Sequence, residues 1–163
     1  MGKVKRSELA TFLNTGTTAV PVWSRMGKGI TSQTIAYNPA TTSEIYIDED
    51  SGTTNLDSYT LNISTPQTAI KGNAVFDYVD NLRQTRAVGE DAETEVLIVY
   101  IYDEESTGVY KAERNNAVIQ IDDFGGEGGG NTVLNYTVNL NGDPTLGTAT
   151  ITGGTVTFTP DSV

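Results

Sequence analysis

Seven consecutive apolar or aromatic residues, Val96-Leu97-Ile98-Val99-Tyr100-Ile101-Tyr102, run between Glu95 and Asp103. In a strand, successive side chains point to opposite faces, so a run that is apolar at every position must be covered on both. The run predicts the most buried strand of the chain, central in its sheet. The rest of the sequence has to supply its cover.

Much of that cover is legible as further strands. Leu134, Tyr136, Val138 and Leu140 recur at every second position, the period of a half-buried strand. Asn141-Gly142-Asp143-Pro144 follows and predicts a turn. Ala149 and Ile151 then lead to Gly153-Gly154, with Val156 and Phe158 beyond. Two alternating runs separated by Gly-Gly predict a two-residue hairpin. Ser58 to Ser64 alternates in the same way. Gln33 to Tyr37 and Glu44 to Ile47 predict two strands joined by a turn over Asn38 to Thr42, followed by an acidic loop from Asp48 to Leu56. Thr17 to Trp23 predicts an edge strand, because Pro21 cannot donate to a ladder. Val109 to Glu113 and Ala117 to Asp122 predict a long or broken strand beside the central one. Phe124 to Asn131, with five glycines in eight residues, predicts a flexible connection.

One helix is predicted, over about residues 73–86. Val75, Val79 and Leu82 fall on one stripe with Phe76 beside them, and Asn73 can cap the N-terminus. Asp77 and Asp80 lie early and Arg83 and Arg86 late, in accord with the helix dipole. Leu9, Phe12 and Leu13 are the apolar residues of the first 16 and fit about one helical turn. That predicts an N-terminal arm, 1–16, ahead of a β core, 17–160. No period of 20–50 residues recurs, which excludes a solenoid or propeller. With about eight to ten short strands and one helix, the 163 residues predict one mainly β domain: a β-sandwich or barrel of two packed antiparallel sheets with a flanking helix and an extended arm.

Composition limits the chemistry. The chain has no Cys and no His, hence no thiol nucleophile, no Cys-ligated metal and none of the commonest general base. That lowers the expectation of catalysis, and the chain is expected not to be an enzyme and to carry no cofactor. No apolar run follows the basic start and none is long enough to span a bilayer, which predicts a soluble protein made in the cytoplasm.

Charge is split by position. Residues 1–30 carry Lys3, Lys5, Arg6, Arg25 and Lys28 against Glu8, whereas residues 31–163 carry five bases and 20 acids. A basic leading segment on an acidic body offers each copy a complementary surface on the next. Acids gather as Asp48-Glu49-Asp50, as Glu90-Asp91 with Glu93 and Glu95, as Asp103-Glu104-Glu105, and as Asp122-Asp123 with Glu127. Calcium takes such oxygen ligands, but none of the four has the spacing of an EF-hand, and solvation or assembly electrostatics accounts for them more simply. Carboxylate pairs could serve glycoside hydrolysis, and Trp23 with tyrosines could form a sugar platform; neither pattern is specific. The glycine-rich stretch lacks the Lys-Ser/Thr ending of a phosphate loop. Three early bases on a chain of this net charge do not make a tight nucleic-acid binder.

The layout resembles the major tail tube proteins of long-tailed, siphovirus-like phages and related viruses. The resemblance is carried by Val20-Pro21-Val22-Trp23 before a glycine-containing turn, the helix Asn73 to Arg86, the strand Val96 to Tyr102, and the ending from Ala117-Val118-Ile119-Gln120-Ile121 through Gly153-Gly154-Thr155-Val156-Thr157-Phe158. It spans nearly the whole chain. It implies a subunit that closes into homohexameric rings stacked head to tail, enclosing a tape-measure protein and later conducting DNA without binding it specifically. It further implies tail-terminator and distal tail proteins as partners, no membrane, and a place in the virion tail. Inter-ring contacts would fall on Lys3, Lys5, Arg6, Leu9, Phe12 and Leu13 of the arm and on Asp48, Glu49 and Asp50 of the loop. Glu90, Asp91, Asp103, Glu104, Glu105, Asp122 and Asp123 would be candidate lumen or loop acids, repelling phosphate. The alternatives are a tube protein of a contractile tail or type VI secretion system, and a carbohydrate- or surface-binding β-sandwich module. A high-salt environment would also acidify the surface whatever its function.

Overall fold

The computed structural model describes residues 2–162, so Met1 of the expected arm and Val163 at the end of the expected domain lie outside the described residues. The chain is mainly β with one helix, as its patterning predicts. Its strands are β1 (Leu9–Asn14), β2 (Trp23–Arg25), β3 (Thr34–Ala36), β4 (Pro39–Glu44), β5 (Thr53–Tyr59), β6 (Asn62–Thr68), β7 (Glu93–Ser106), β8 (Val109–Gly125), β9 (Val133–Thr152) and β10 (Thr155–Pro160). The helix α1 spans Ala74–Thr85. Eight strands form one antiparallel sheet in the order β2-β1-β7-β8-β9-β6-β3, with β10 pairing β9; β4 and β5 make a separate two-stranded sheet.

The apolar run is the centre of β7, and Val96, Leu97, Ile98 and Val99 are wholly buried. Its two faces enter two cores. Val96 and Ile98 pack with Leu13, Ile63, Ile119, Tyr136, Val138 and the buried stripe of α1, Val75, Phe76, Val79 and Leu82. Leu97 and Val99 pack with Ala10, Phe12, Ala112, Ala149 and Val156, with Trp23 and Phe158 alongside. The second core is enclosed because the sheet curls until β10 returns beside β2. The curl occurs where β8 and β9 are bulged: Arg114 faces Thr145 but Asn116 faces Asn141, so three residues of β9 oppose one of β8. A bulge of this kind bends and twists its strand.

Local chemistry sets the ends of the elements. Asn73 Oδ1 accepts from Phe76 N at 3.0 Å, capping α1. Gly153 and Gly154 have φ of 56° and 82° and close the β9–β10 hairpin, as their sequence predicts. Gly147 admits no side chain, since a Cβ there would lie 2.2 Å from the Thr159 carbonyl oxygen across the same ladder.

Several expectations are corrected: of Glu44 to Ile47 only Glu44 is in a strand, Thr53 to Leu56 of the expected loop belong to β5, and Ser58 to Ser64 is divided between β5 and β6. Residues 9–14 are not part of an arm: they form β1, between β2 and β7, and Phe12 and Leu13 are buried. Their spacing looks helical only because the intervening Thr11 is polar; it is buried too, donating to Gln33 Oε1 at 2.8 Å. Of Thr17 to Trp23 only Trp23 is in a strand, β2. Asn38 to Thr42 does not turn the chain, since Pro39 onward is β4, and β4 reverses instead across residues 45–52. Asn141 to Pro144 is the bulge inside β9, whose neighbours on β8 carry the ladder past it.

Candidate functional site

Every residue from 37 to 60 is exposed. This stretch contains the whole β4–β5 hairpin, whose central ladder pairs Thr41, Thr42 and Ser43 with Leu56, Asn55 and Thr54. Six residues of β4 extend the hairpin by roughly 20 Å. It stands because its ladder is internally paired and its base is pinned. Asn38 takes a left-handed φ of 43° and donates from Nδ2 to the Thr60 carbonyl at 3.0 Å. Tyr37 and Tyr59 meet edge to face with ring centroids 6.1 Å apart. At the tip, Ile45, Tyr46 and Ile47 are exposed, Ile47 completely, immediately before Asp48-Glu49-Asp50. Three large exposed apolar side chains beside three exposed carboxylates make a surface suited to another molecule.

The base of the hairpin abuts an open groove of about 930 Å³ bounded by Tyr37, Tyr59, Glu113, Asn115 and Pro144. Glu113 is buried there and accepts from the Tyr100 hydroxyl. Burial first, then this hydrogen bond and the carboxylate charge, push the Tyr100 phenol well above its usual range. Tyr37, largely exposed, is raised in the same direction by the partial desolvation of its ring and then by the same carboxylate.

Of the basic residues of the first 30, Arg6 and Arg25 line one groove with Gln33, the residue before β3. Lys5 and Arg6 sit at a short 3-10 turn, Arg6–Glu8, where Glu8 accepts from the Lys5 backbone N–H at 2.6 Å. The Arg6 guanidinium donates to the Leu9 and Gln33 carbonyls at 2.7 and 3.0 Å, and Arg25 donates to the Ser7 carbonyl at 3.0 Å. Neutral carbonyls orient both guanidiniums without cancelling their charge. The three ion pairs among the described residues, Arg83–Asp80, Lys111–Asp103 and Arg114–Glu95, leave this basic group untouched.

The third surface is the outer face of β6, β9 and β8. Ile63, Thr65, Tyr136, Val138 and Ile119 face the core, so the alternate positions Ser64, Asn135, Thr137, Asn139 and Gln120 face away. Thr137 and Gln120 donate to Asp122 at 2.7 and 2.6 Å, and Asn135 donates to Asp123. The strand side chains of this face are polar and hydrogen-bonded among themselves, and Arg83 and Arg86 share a pocket with Gln120, Asp123 and Asn139 at its border.

The residues proposed from sequence separate accordingly. Asp48, Glu49 and Asp50 are at the hairpin tip, and Lys3, Lys5 and Arg6 are exposed ahead of β1. Leu9 is partly buried, and Phe12 and Leu13 are in the two cores, unavailable to a neighbouring copy. The seven acids offered for a lumen do not form one surface. Glu90 and Asp91 lie before β7 and Asp122 and Asp123 late in β8, which the β7–β8 register places at one end of the sheet. Asp103, Glu104 and Glu105 lie at the opposite end, where Asp103 pairs with Lys111 Nζ at 3.6 Å. Among the described residues no group of three or more carboxylates converges as a metal site. Trp23 packs against the second core and is not a free platform. Sequence reasoning missed Ile45, Tyr46 and Ile47 as surface residues, because three apolar residues after Glu44 read as a strand.

No protein-family model matches the chain, and no curated protein matches it significantly. Among solved structures it is similar to a chain from the tail of an empty gene transfer agent (GTA) particle, computed with helical refinement and C6 symmetry. The likeness covers 87% of this chain and 97% of that one, with a TM-score of 0.63 and 12% identity. At that identity what the two share is the fold, so this chain has the fold of a chain found in a particle tail.

Proposed function

We propose that the protein is a structural, non-enzymatic tail tube subunit of a long-tailed, siphovirus-like particle. Copies close into hexameric rings, and the rings stack head to tail into a hollow tube. One observation carries this reading: a self-paired hairpin, exposed along its full length, ends in the exposed apolar side chains Ile45, Tyr46 and Ile47 beside the exposed acids Asp48, Glu49 and Asp50. A repeating contact between unlike surfaces is what generates rings and filaments from one subunit. The likeness to a chain of a particle tail supports the same reading.

The polar outer face of β6, β9 and β8 is the surface suited to the lumen. Its strand amides and hydroxyls and Asp122 carry no cation, and with Arg83 and Arg86 confined to its border the strip favours passage of DNA without tight binding. The tube encloses a tape-measure protein before ejection, is closed by tail-terminator and distal tail proteins, and resides in the virion after synthesis in the host cytoplasm. Negative-stain microscopy of the purified chain over a range of concentrations tests the proposal. Rings or tubes are expected; stable monomers at every concentration would overturn a self-assembling subunit.

A further inference from the structure

We propose that the acidic, apolar hairpin tip of one copy docks in the groove between Arg6 and Arg25 of the next. This rests on the tube reading and names the two halves of its axial contact. The groove holds about 240 Å³ and is bounded by Arg6, Arg25, Met26, Ile30, Ser32 and Gln33. That is below the roughly 300–1,000 Å³ of small-molecule sites, and it suits one or two protruding side chains.

Three features of the groove match the tip. First, the two charged residues that line it, Arg6 and Arg25, are both cations; of the charged residues next to the lining, Lys28 adjoins Gly27 and Glu8, which accepts from the Lys5 N–H, lies between Ser7 and Leu9. The tip brings Asp48, Glu49 and Asp50. Second, the guanidiniums are already oriented by the Leu9, Gln33 and Ser7 carbonyls, so less side-chain freedom is lost on binding. Third, Ile30 and Met26 give the groove an apolar floor, and Ile47 is the most exposed apolar side chain described. The tip does not occupy the groove of its own chain: no residue of the hairpin is among those that line it. The contact is therefore heterologous and propagates. The acceptor also accounts for the split in charge, since the groove's cations all come from the first 30 residues.

The absence of cysteine makes the test direct. The full chain carrying Ile47→Cys and Ser32→Cys, oxidised under assembly conditions, is expected to give a covalent ladder of three or more subunits. The yield should be at least ten-fold that of a control pair, Ile47→Cys with Val88→Cys. Arg6→Glu with Arg25→Glu should raise the concentration needed for tubes at least ten-fold, and Asp48→Arg, Glu49→Arg and Asp50→Arg in the same chain should restore assembly. A 47–88 ladder equal to the 47–32 ladder, or no 47–32 ladder from a chain that forms tubes, overturns the groove assignment and leaves the tube reading intact. A cysteine-free parent that forms neither rings nor tubes overturns both. The ladder needs no arginine replaced, so a folding defect in the charge-reversed chain does not obscure the result.

Discussion

Strand β1 and the β4–β5 hairpin exchange the roles their sequences suggest. Residues 9–14 stand in a basic leader and hold only Leu9, Phe12 and Leu13 as large apolar residues, yet the strand is inserted between β2 and β7 and divides its side chains between two cores. The stretch 37–60 carries more large apolar residues, Tyr37, Ile45, Tyr46, Ile47, Leu56 and Tyr59 among them, and buries none of them. Apolar content therefore does not decide which segment is core. Placement does: β1 has a two-faced neighbour in β7, whereas the hairpin's ladder pairs only with itself.

The largest effects come from cutting each segment out. Deleting residues 1–16 removes β1 and exposes one edge of β7, so the chain should lose its cooperative thermal transition. Replacing residues 41–57 by a short Gly-Ser turn should leave that transition in place and abolish tubes in the microscope. A tube-forming chain without the hairpin would break the comparison from the functional side, and a folded chain without β1 would break it from the structural side.

One chemical change made in both segments sharpens the contrast. Leu13→Ala should cost about 2–5 kcal/mol in urea unfolding, as a wholly buried leucine leaves a cavity. Leu56→Ala, on the exposed hairpin, should stay within about 0.5 kcal/mol. Equal costs would mean that the hairpin packs on the body in solution.

The smallest effect is in alkali. Tyr136 is buried and donates to Gln67 Oε1 at 2.8 Å, and burial raises its phenol above the usual range. Tyr100 is raised in the same direction. A phenol raised in the fold favours the folded state fully below the unfolded value of about 10 and progressively less as pH rises through and above it. Urea midpoints should thus be flat with respect to these tyrosines up to about pH 10 and fall beyond it. Tyr136→Phe should cost about 1 kcal/mol at neutral pH and make that fall shallower. A mutant whose alkaline decline is as steep as the wild type's would assign the effect elsewhere.

Legibility in the sequence followed the strength of local rules. The run 96–102, the alternation 134–140, the Gly153-Gly154 turn and the Asn73-capped helix each have one reading under simple periodicity, and each stands in the structure. Strand β1 was hidden by buried polar residues. Thr11 is satisfied by Gln33, and Asn14 accepts from the Gly16 and Val22 N–H groups while donating to the Thr17 carbonyl and to Glu95. Those partners are supplied by the fold and cannot be read from spacing. Asn141 to Pro144 has turn chemistry, but the neighbouring strand holds both sides of it in register. Of the candidate surfaces, the acidic tip was legible as charge. Its apolar half and the groove's Arg25 were not, because exposure and the meeting of residues 6, 25 and 33 are tertiary facts.

The two-faced strand β7 also determines how the molecule comes apart. Val96 and Ile98 hold one core and Leu97 and Val99 the other, so neither core can open without stripping a face from the strand that the second depends on. The body should melt as a single cooperative unit, its slowest-exchanging amides along the middle of β7, while the hairpin exchanges rapidly throughout. A tube built from such subunits, as proposed above, would flex at the contacts between its blocks and not within them.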